Sequence, residues 1–392
     1  MMANFELKDR AAIAGVGNSQ YGRRLMRSPI DLAADAIASA LDDCGLTRDE
    51  LDGMIVSFGS PIGADGDSIA QLLGLKLRTC NQTWAHGRFT ASCITWAAML
   101  VNAGLADAVA CLASVSFSSI RRPMMGGAGD REGAREAGGG HGEDPVYGMT
   151  SPGAGAALVA RRYFDRYGCD SRALASVPVA FRKHAAMNPA AIMREPIDVD
   201  AHQRSRYVCE PLHLLDYCLI NDGAACVIVT TSERARDLKK APVYIGGMQG
   251  LPGGREEFIW AYPGLGVAQQ SVFEYQAGHQ RVYEMAGVTA KEVDALFTYD
   301  AFSIVAWIAL ERFGFCKPGE AAGFTQDGRI EIGGELPMNT NGGLLSEAHI
   351  MGWNHQVEIV RQLRGECGAR QVKDAQVIQW ANAYGDSLIY HK

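Results

Sequence analysis

Apolar positions along the chain alternate between short solid runs and stripes at helical spacing. Ala11–Val16 is a short apolar run, with Gly15 and Gly17 at its end, and reads as a strand. From Ile30 to Cys44 the residues Leu32, Ala33, Ile37, Ala40 and Leu41 recur at the period of an amphipathic helix. Thr95–Leu105 reads as a buried helix and Ala108–Val115 as a buried strand. The pattern changes between Ser116 and about Arg206. Pro123–Asp144 is glycine-rich, carries mixed charge and has no period, which predicts a long loop. Ser151–Tyr167 and Ser171–Asn188 beyond it read as helices. Asn221–Thr230 resumes the strand pattern, opened by a turn at Asn221-Asp222-Gly223. The glycine-rich Gly246–Gly254 opens a second half, which ends with a helix at about Asn354–Leu363 and a strand at Gln376–Trp380.

The two halves repeat a pattern. Residues 45–57 read G-L-T-R-D-E-L-D-G-M-I-V-S, and residues 287–299 read G-V-T-A-K-E-V-D-A-L-F-T-Y. Gly, Thr, Glu and Asp recur at identical spacing. Thr47 with Glu50, and Thr289 with Glu292, each fit a capping box at a helix start. A helix-like segment precedes each box (Asp31–Cys44, Val272–Met285), and an apolar strand follows (Met54–Ser57, Leu296–Thr298). A repeat about 240 residues apart predicts one α/β unit used twice, with a ligand site at the junction of the halves.

Composition narrows the class. With 392 residues, 47% hydrophobic and 21% charged, the chain has enough apolar surface for two or three cores. A formal charge of −7 and the lack of any basic run argue against nucleic acid as partner. The apolar stretch Ile94–Phe117 contains Asn102, Gly104 and Asp107, so it fits a buried helix and strand and no membrane span. Ten cysteines are scattered without C-x-x-C or zinc spacing. They read as reduced thiols of a cytoplasmic protein, with no metal site. Neither glycine-rich segment matches the dinucleotide fingerprint G-x-G-x-x-G between a strand and a helix.

Five segments together resemble the thiolase superfamily, in its branch of sterol-carrier-type thiolases and lipid-transfer proteins. They are Pro152–Tyr163, the H-A-x-x-N-P of His184–Pro189, Leu214–Val227 with its N-D-G-A-A, Tyr299-Asp300-Ala301-Phe302, and Asn339–Gly352. The family has H-D-C-F or N-E-A-F at the fourth and N-x-x-G-G followed by G-H-P at the fifth. The resemblance implies an α/β thiolase fold: two similar βαβαβ halves in α-β-α-β-α layers. The N-terminal half then spans 1–240, including an inserted loop domain at 116–206, and the C-terminal half spans 241–392.

Thiolases attack an acyl-CoA with a cysteine thiolate at the start of a buried helix. Aligned on Ala103–Val109, that position falls on Gly87, and the nearest thiol, Cys93, lies six residues further, about two turns into the helix. The second family cysteine, of a C-x-G loop, is absent from Trp380–Gly385. The pattern resembles the aldolase branch that cleaves steroid-acid CoA thioesters, which carries tyrosines at both motif positions. Here His349 replaces the second of them. The resemblance implies retro-aldol cleavage of a β-hydroxyacyl-CoA, steroid side-chain-like or aromatic. His349 is expected as base and Tyr299 as acid or enolate-oxyanion donor. Asn341 with the amides of Gly342 and Gly343 would line an oxyanion hole and hold the CoA thioester, and His86 would reach the vacated nucleophile pocket. A thiolase or acyltransferase using Cys93, and a non-catalytic acyl-CoA or lipid carrier, stay open as alternatives. Coenzyme A enters as the substrate thioester. Relatives of this kind imply a homodimer and a small partner with an OB-fold and zinc ribbon, giving a heterotetramer.

Overall fold

Ala11–Asn18 (β1) lies near the middle of the fold, and the chain builds outward from it on both sides. The computed structural model describes residues 5–57, 63–83, 89–119, 151–251 and 281–392. Helix α1 (Pro29–Cys44) starts where the Ser28 side chain accepts from the Asp31 N–H, and it stops at Gly45 in the left-handed region. Then come β2 (Gly53–Val56), α2 (Gly66–Leu73), β3 (Thr79–Gln82), α3 (Thr90–Asn102) and β4 (Ala108–Ser116). The inserted segment carries α4 (Pro152–Tyr167), α5 (Ser171–Leu174), α6 (Ser176–Ala186), α7 (Val199–Arg204) and a small hairpin of β5 (Tyr207–Cys209) and β6 (Leu212–His213). It is followed by β7 (Asp222–Thr231), α8 (Ser232–Ala235), β8 (Val243–Gln249), α9 (Arg281–Ala286) and β9 (Ala295–Phe297). The last elements are α10 (Ser303–Arg312), α11 (Ala321–Phe324), α12 (Gly343–Ser346), α13 (Trp353–Arg364), β10 (Val377–Ala381) and β11 (Ser387–His391).

The strand order β3-β2-β4-β7-β1 continues as β8-β11-β10-β9. In the first half β2 is parallel to β4, β4 antiparallel to β7, and β7 antiparallel to β1. The second half repeats this, with β9 parallel to β10, β10 antiparallel to β11, and β11 antiparallel to β8. Between β1 and β8 the backbone pairing that joins the halves comprises Ala12 with Tyr244 and Ile13 with Val243. One unit is thus used twice about a pseudo-dyad, as the repeat predicts.

Strand alternation sorts the first half's side chains onto two faces. Ala12, Ala14, Met54, Val56, Leu112 and Ile228 face α1 in one core. Ile13, Ile55, Val109, Cys111 and Val227 face the larger core, which includes residues of α3, α13 and the second half's strands. Helix α9 packs on β8 and β11. The nine strands form one sheet, and the layers run α1, its first half, α3 with α13, its second half, α9, which is the α-β-α-β-α arrangement.

Several local expectations change. Both capping boxes form, with Thr47 N–H and Oγ1 donating to Glu50 at 2.9 and 2.8 Å, and Thr289 donating to Glu292 at 2.8 and 2.9 Å. Each opens a single 3₁₀ turn, because the chain enters a strand directly afterwards. The N-D-G segment is no turn. Asp222 starts β7, and its carboxylate accepts from the amides of Leu25, Ser118 and Ser119. The helix expected at Ser171–Asn188 is two, broken at Ala175. Helix α3 begins at Thr90, five residues before the predicted start, so Cys93 lies in its first turn. Pro123–Asp144, most of Val272–Met285, and His86 with Gly87 lie outside the described residues.

Candidate active site

Strand β9 ends at Phe297, and the chain leaves the sheet as Thr298-Tyr299-Asp300. Alongside, Leu296 pairs with Met338, which brings in the loop Asn339–Gly343. Asn339 fastens the two, its Oδ1 accepting from Thr298 N–H at 2.9 Å and its Nδ2 donating to Thr298 O at 3.1 Å. The short α12 then turns the chain back, and Ala348–Met351 leads into α13. Two loops far apart in sequence thus lie side by side.

Their tips hold the two predicted groups together. Tyr299 Oη and His349 Nε2 are 3.1 Å apart, and Tyr299 is only 5% exposed. The His349 backbone N–H donates to Asn221 Oδ1 at 2.6 Å, and Phe117 packs 5.7 Å from its ring. Burial pushes the His349 imidazole down to about 4, against a raising influence of Asp300 and a hydrogen bond to the Leu219 backbone. The ring is therefore neutral at pH 7. With the Leu219 backbone taking one ring N–H, Nε2 is left to accept from the Tyr299 hydroxyl. Burial thus takes the ring well below the roughly 6.5 of an ordinary histidine.

Asn341, Gly342 and Gly343 have a different place from the one predicted. Asn341 Nδ2 donates to Glu347, and its amide group meets His355 Nδ1 at 3.1 Å. His355 Nε2 donates to Asp300 Oδ1 at 3.0 Å, and Asp300 also accepts from the amides of Leu344 and Leu345. Gly342 N–H donates to Asn339 O at 2.8 Å, and Gly343 N–H to Asn341 Oδ1 at 3.2 Å. These donors are already engaged, which corrects the picture of an open oxyanion hole at this loop. The glycines serve close approach instead. Gly343 has φ +70°, and a Cβ there would strike the Asp300 carboxylate; one at Gly342 would strike Ala185 of α6.

Sequence reasoning missed Glu347 and His355 in this buried network. Asn188, from H-A-x-x-N-P, closes it by donating to Glu347 Oε1 at 2.8 Å and Asn341 O at 2.9 Å. Burial, then the charge of Glu358, raises the Glu347 carboxyl to about 7. The only sequence signal for this network was the polar content of the segment around α13, which reads equally well as a solvated face.

Cys93 is 2% exposed and packs in the larger core with Cys111. Burial pushes its thiol up to about 12, with a side-chain hydrogen bond to Thr83 opposing. Such a thiol is not a nucleophile at neutral pH. Near it, Thr90 Oγ1 donates to Met351 O at 2.8 Å, so the N-terminal ends of α3 and α13 converge. Met351 Sδ in turn lies 4.0 Å from Tyr299 Oη. Two positive helix ends beside a neutral acid–base pair suit a reaction that develops negative charge. All ten cysteines are free. Among the described residues no group of metal-ligating side chains forms, and no helix is long and apolar enough to cross a membrane.

Comparison with known proteins shows the family. Residues 269–389 match the family described as Thiolase C-terminal domain-like. The chain is 35% identical to the steroid side-chain-cleaving aldolase of Thermomonospora curvata, over 92% of this chain and 91% of that one. It is 37% identical to the 17-hydroxy-3-oxo-4-pregnene-20-carboxyl-CoA lyase of Mycobacterium tuberculosis, over 92% of each. A solved structure titled "Ltp2-ChsH2(DUF35) aldolase" superposes with a TM-score of 0.86 at 32% identity, covering 98% of both chains. The chain belongs to the thiolase superfamily, in the family of the side-chain-cleaving acyl-CoA aldolases. It is accordingly a lyase whose family chemistry is retro-aldol cleavage of an acyl-CoA.

Proposed function

We propose that the chain cleaves the Cα–Cβ bond of a β-hydroxyacyl-CoA whose β-carbon belongs to a bulky ring system such as a steroid nucleus. The half-buried Tyr299–His349 hydrogen bond carries this reading. Because His349 Nε2 accepts from Tyr299, the two work in series on one proton and not on opposite oxygens. The substrate hydroxyl gives its proton to Tyr299 Oη as Tyr299 passes its own to His349 Nε2. The Cα–Cβ electrons move to the thioester enolate, close to the positive ends of α3 and α13, and the β-carbon becomes a carbonyl. Asp300, held by His355 and two amides, offsets the charge that appears on His349.

The thiolase alternative requires a thiolate, and the shift of Cys93 speaks against one. The test is direct. The protein is incubated with a β-hydroxyacyl-CoA of a steroid side chain, and the released acyl-CoA and ketone are followed by mass spectrometry. Cys93→Ala should keep most of the turnover. A trapped Cys93 thioester, or loss of cleavage in a folded Cys93→Ala protein, moves the assignment to acyl transfer.

The relatives support an assembly larger than one chain. A homodimer that recruits a small OB-fold and zinc-ribbon subunit fits the partnered aldolase among the structural neighbours. Light scattering on the chain expressed with and without such a subunit tests it, a lone monomer in both cases being the contrary result.

A further inference from the structure

One buried acid has no part in the chemistry so far. Asp386 closes the turn between β10 and β11, its backbone carbonyl accepting from Asn382 N–H at 3.0 Å. Its side chain is fully buried, and neither carboxyl oxygen has a hydrogen-bond partner among the described residues. Around it stand the Ala91 backbone in the first turn of α3, the Trp380 indole N–H, itself unpartnered, and the Arg312 guanidinium of α10. Asp386 is also near enough to Cys93 to act on its charge. A carboxylate serving as a helix cap would accept firmly from the amides of the first turn, as Ser28 and Asp65 do in α1 and α2. Asp386 does not. Burial pushes its carboxyl up to about 8, so it keeps its proton at neutral pH, although the neighbouring N–H groups and Arg312 pull the other way.

Its position completes the argument. Thr90, next to Ala91, holds Met351, and Met351 Sδ contacts Tyr299 Oη. The acid therefore stands at the end of α3 that meets the Tyr299–His349 pair. Resting on the retro-aldol reading, we propose that Asp386 is the catalytic acid that protonates Cα of the enolate formed when the Cα–Cβ bond breaks. The balance closes. The hydroxyl proton goes by way of Tyr299 to His349, and the Cα–Cβ pair becomes the enolate. The enolate carbonyl re-forms as Cα takes the Asp386 proton, giving the acyl-CoA and a carboxylate. Loss of the proton from His349 to solvent and uptake of one by Asp386 restore the resting state. A protonated, unpartnered carboxyl is what this step needs.

The experiment uses the full chain, with its partner subunit if one co-purifies, and propionyl-CoA in D₂O as probe. Wild type should exchange the Cα hydrogens of propionyl-CoA, and Asp386→Asn should lose that exchange by about a hundredfold or more, with Asp386→Glu recovering part of it. A second readout is the melting temperature. An acid with a raised folded pKa favours folding less and less as pH rises from about 4 toward 8, a loss the Asn variant does not suffer. Asp386→Asn should therefore melt above wild type at pH 8, and the gap should narrow toward pH 5. Wild-type exchange rates in Asp386→Asn, no exchange by wild type, or a variant less stable than wild type at pH 8 each overturn the proposal. Should the Asn variant not fold, Asp386→Ser replaces it in both measurements. Cleavage of a β-hydroxyacyl-CoA without exchange sinks the role of Asp386 alone, whereas absence of both sinks the retro-aldol reading.

Discussion

Tyr299 and His349 lie fifty residues apart in sequence, and each has little meaning without the other. A tyrosine hydroxyl, at about 10, is a poor base at neutral pH; hydrogen-bonded to a neutral imidazole, it gains a route for its proton. Tyr299→Phe should keep substrate binding and lower kcat by roughly 10²–10⁴-fold, and His349→Ala should cost at least as much. Steady-state kinetics separates the two parameters, and an unchanged kcat in Tyr299→Phe contradicts the relay. The pH dependence follows from the cause of the His349 shift. Burial disfavours imidazolium and puts its titration at about 4, below the ordinary value. The base is thus already competent through the range where a free histidine titrates. The acid limb of kcat/KM should stay flat from pH 7 down to about 5, without a break near 6.5. The same sign governs stability: the unfolded chain takes up a proton at His349 and at buried His184 before the folded one does. These two histidines therefore favour folding less as pH falls from about 6.5 toward 4, while the raised carboxyls of Asp386 and Glu347 act in the opposite sense.

The loops carrying these groups are shaped by elements whose interiors are polar, and that is where sequence reading ran out. Residues such as Asn354, His355, Gln356 and Glu358 look in sequence like the polar surface of a solvated helix, yet all four are buried in α13. Their partners come from elsewhere in the chain: Asp300 for His355, Tyr390 for Gln356, Arg370 for Glu358. Periodicity within a window has no access to such contacts. It did reveal β1, α1, β4 and both capping boxes, where the signal is local. The Tyr299–His349 pairing came from motif spacing, and the misplaced oxyanion hole came from assuming that glycine amides in a loop are free. Gly343 shows what they do instead. At φ +70°, with the Asp300 carboxylate against the position of a Cβ, Gly343→Ala should destabilise by at least about 2 kcal/mol. It should also lower kcat more than it raises KM, because Asp300 acts through His349 and does not bind substrate. Denaturant unfolding and kinetics on the same preparation check both. A variant with wild-type kcat would mean that Asp300 tolerates displacement.

Across the whole molecule, two similar halves share one central helical layer, and its packing on the strands of both holds their relative placement and with it the site. Backbone pairing between β1 and β8 supplies only two residue pairs. Side chains near the end of α13 add to it. Arg364, 3% exposed in its side chain, pairs with Asp43 of α1 at 2.7 Å, donates to Ala14 O of β1 at 2.7 Å and to Ala241 O ahead of β8 at 2.9 Å. Asp43 accepts in addition from the Val16 N–H at 3.0 Å. One guanidinium thus ties a helix of the second half to a helix and a strand of the first, using the planar fork that a lysine lacks. Removing it leaves Asp43 and two carbonyls short of a donor in a nearly closed space. Arg364→Ala should therefore cost roughly 3–5 kcal/mol. Arg364→Lys should recover only part of that, because a single ammonium cannot reach all three acceptors at once. Urea unfolding of the three proteins measures this. The consequence for function separates this contact from an ordinary core residue. Arg364 is in α13, the same helix whose first turns carry His355 and follow directly on Met351. Loosening its far end should lower kcat in a protein that is still folded at assay temperature. A lysine variant as stable as wild type would show that the charge matters and the fork does not.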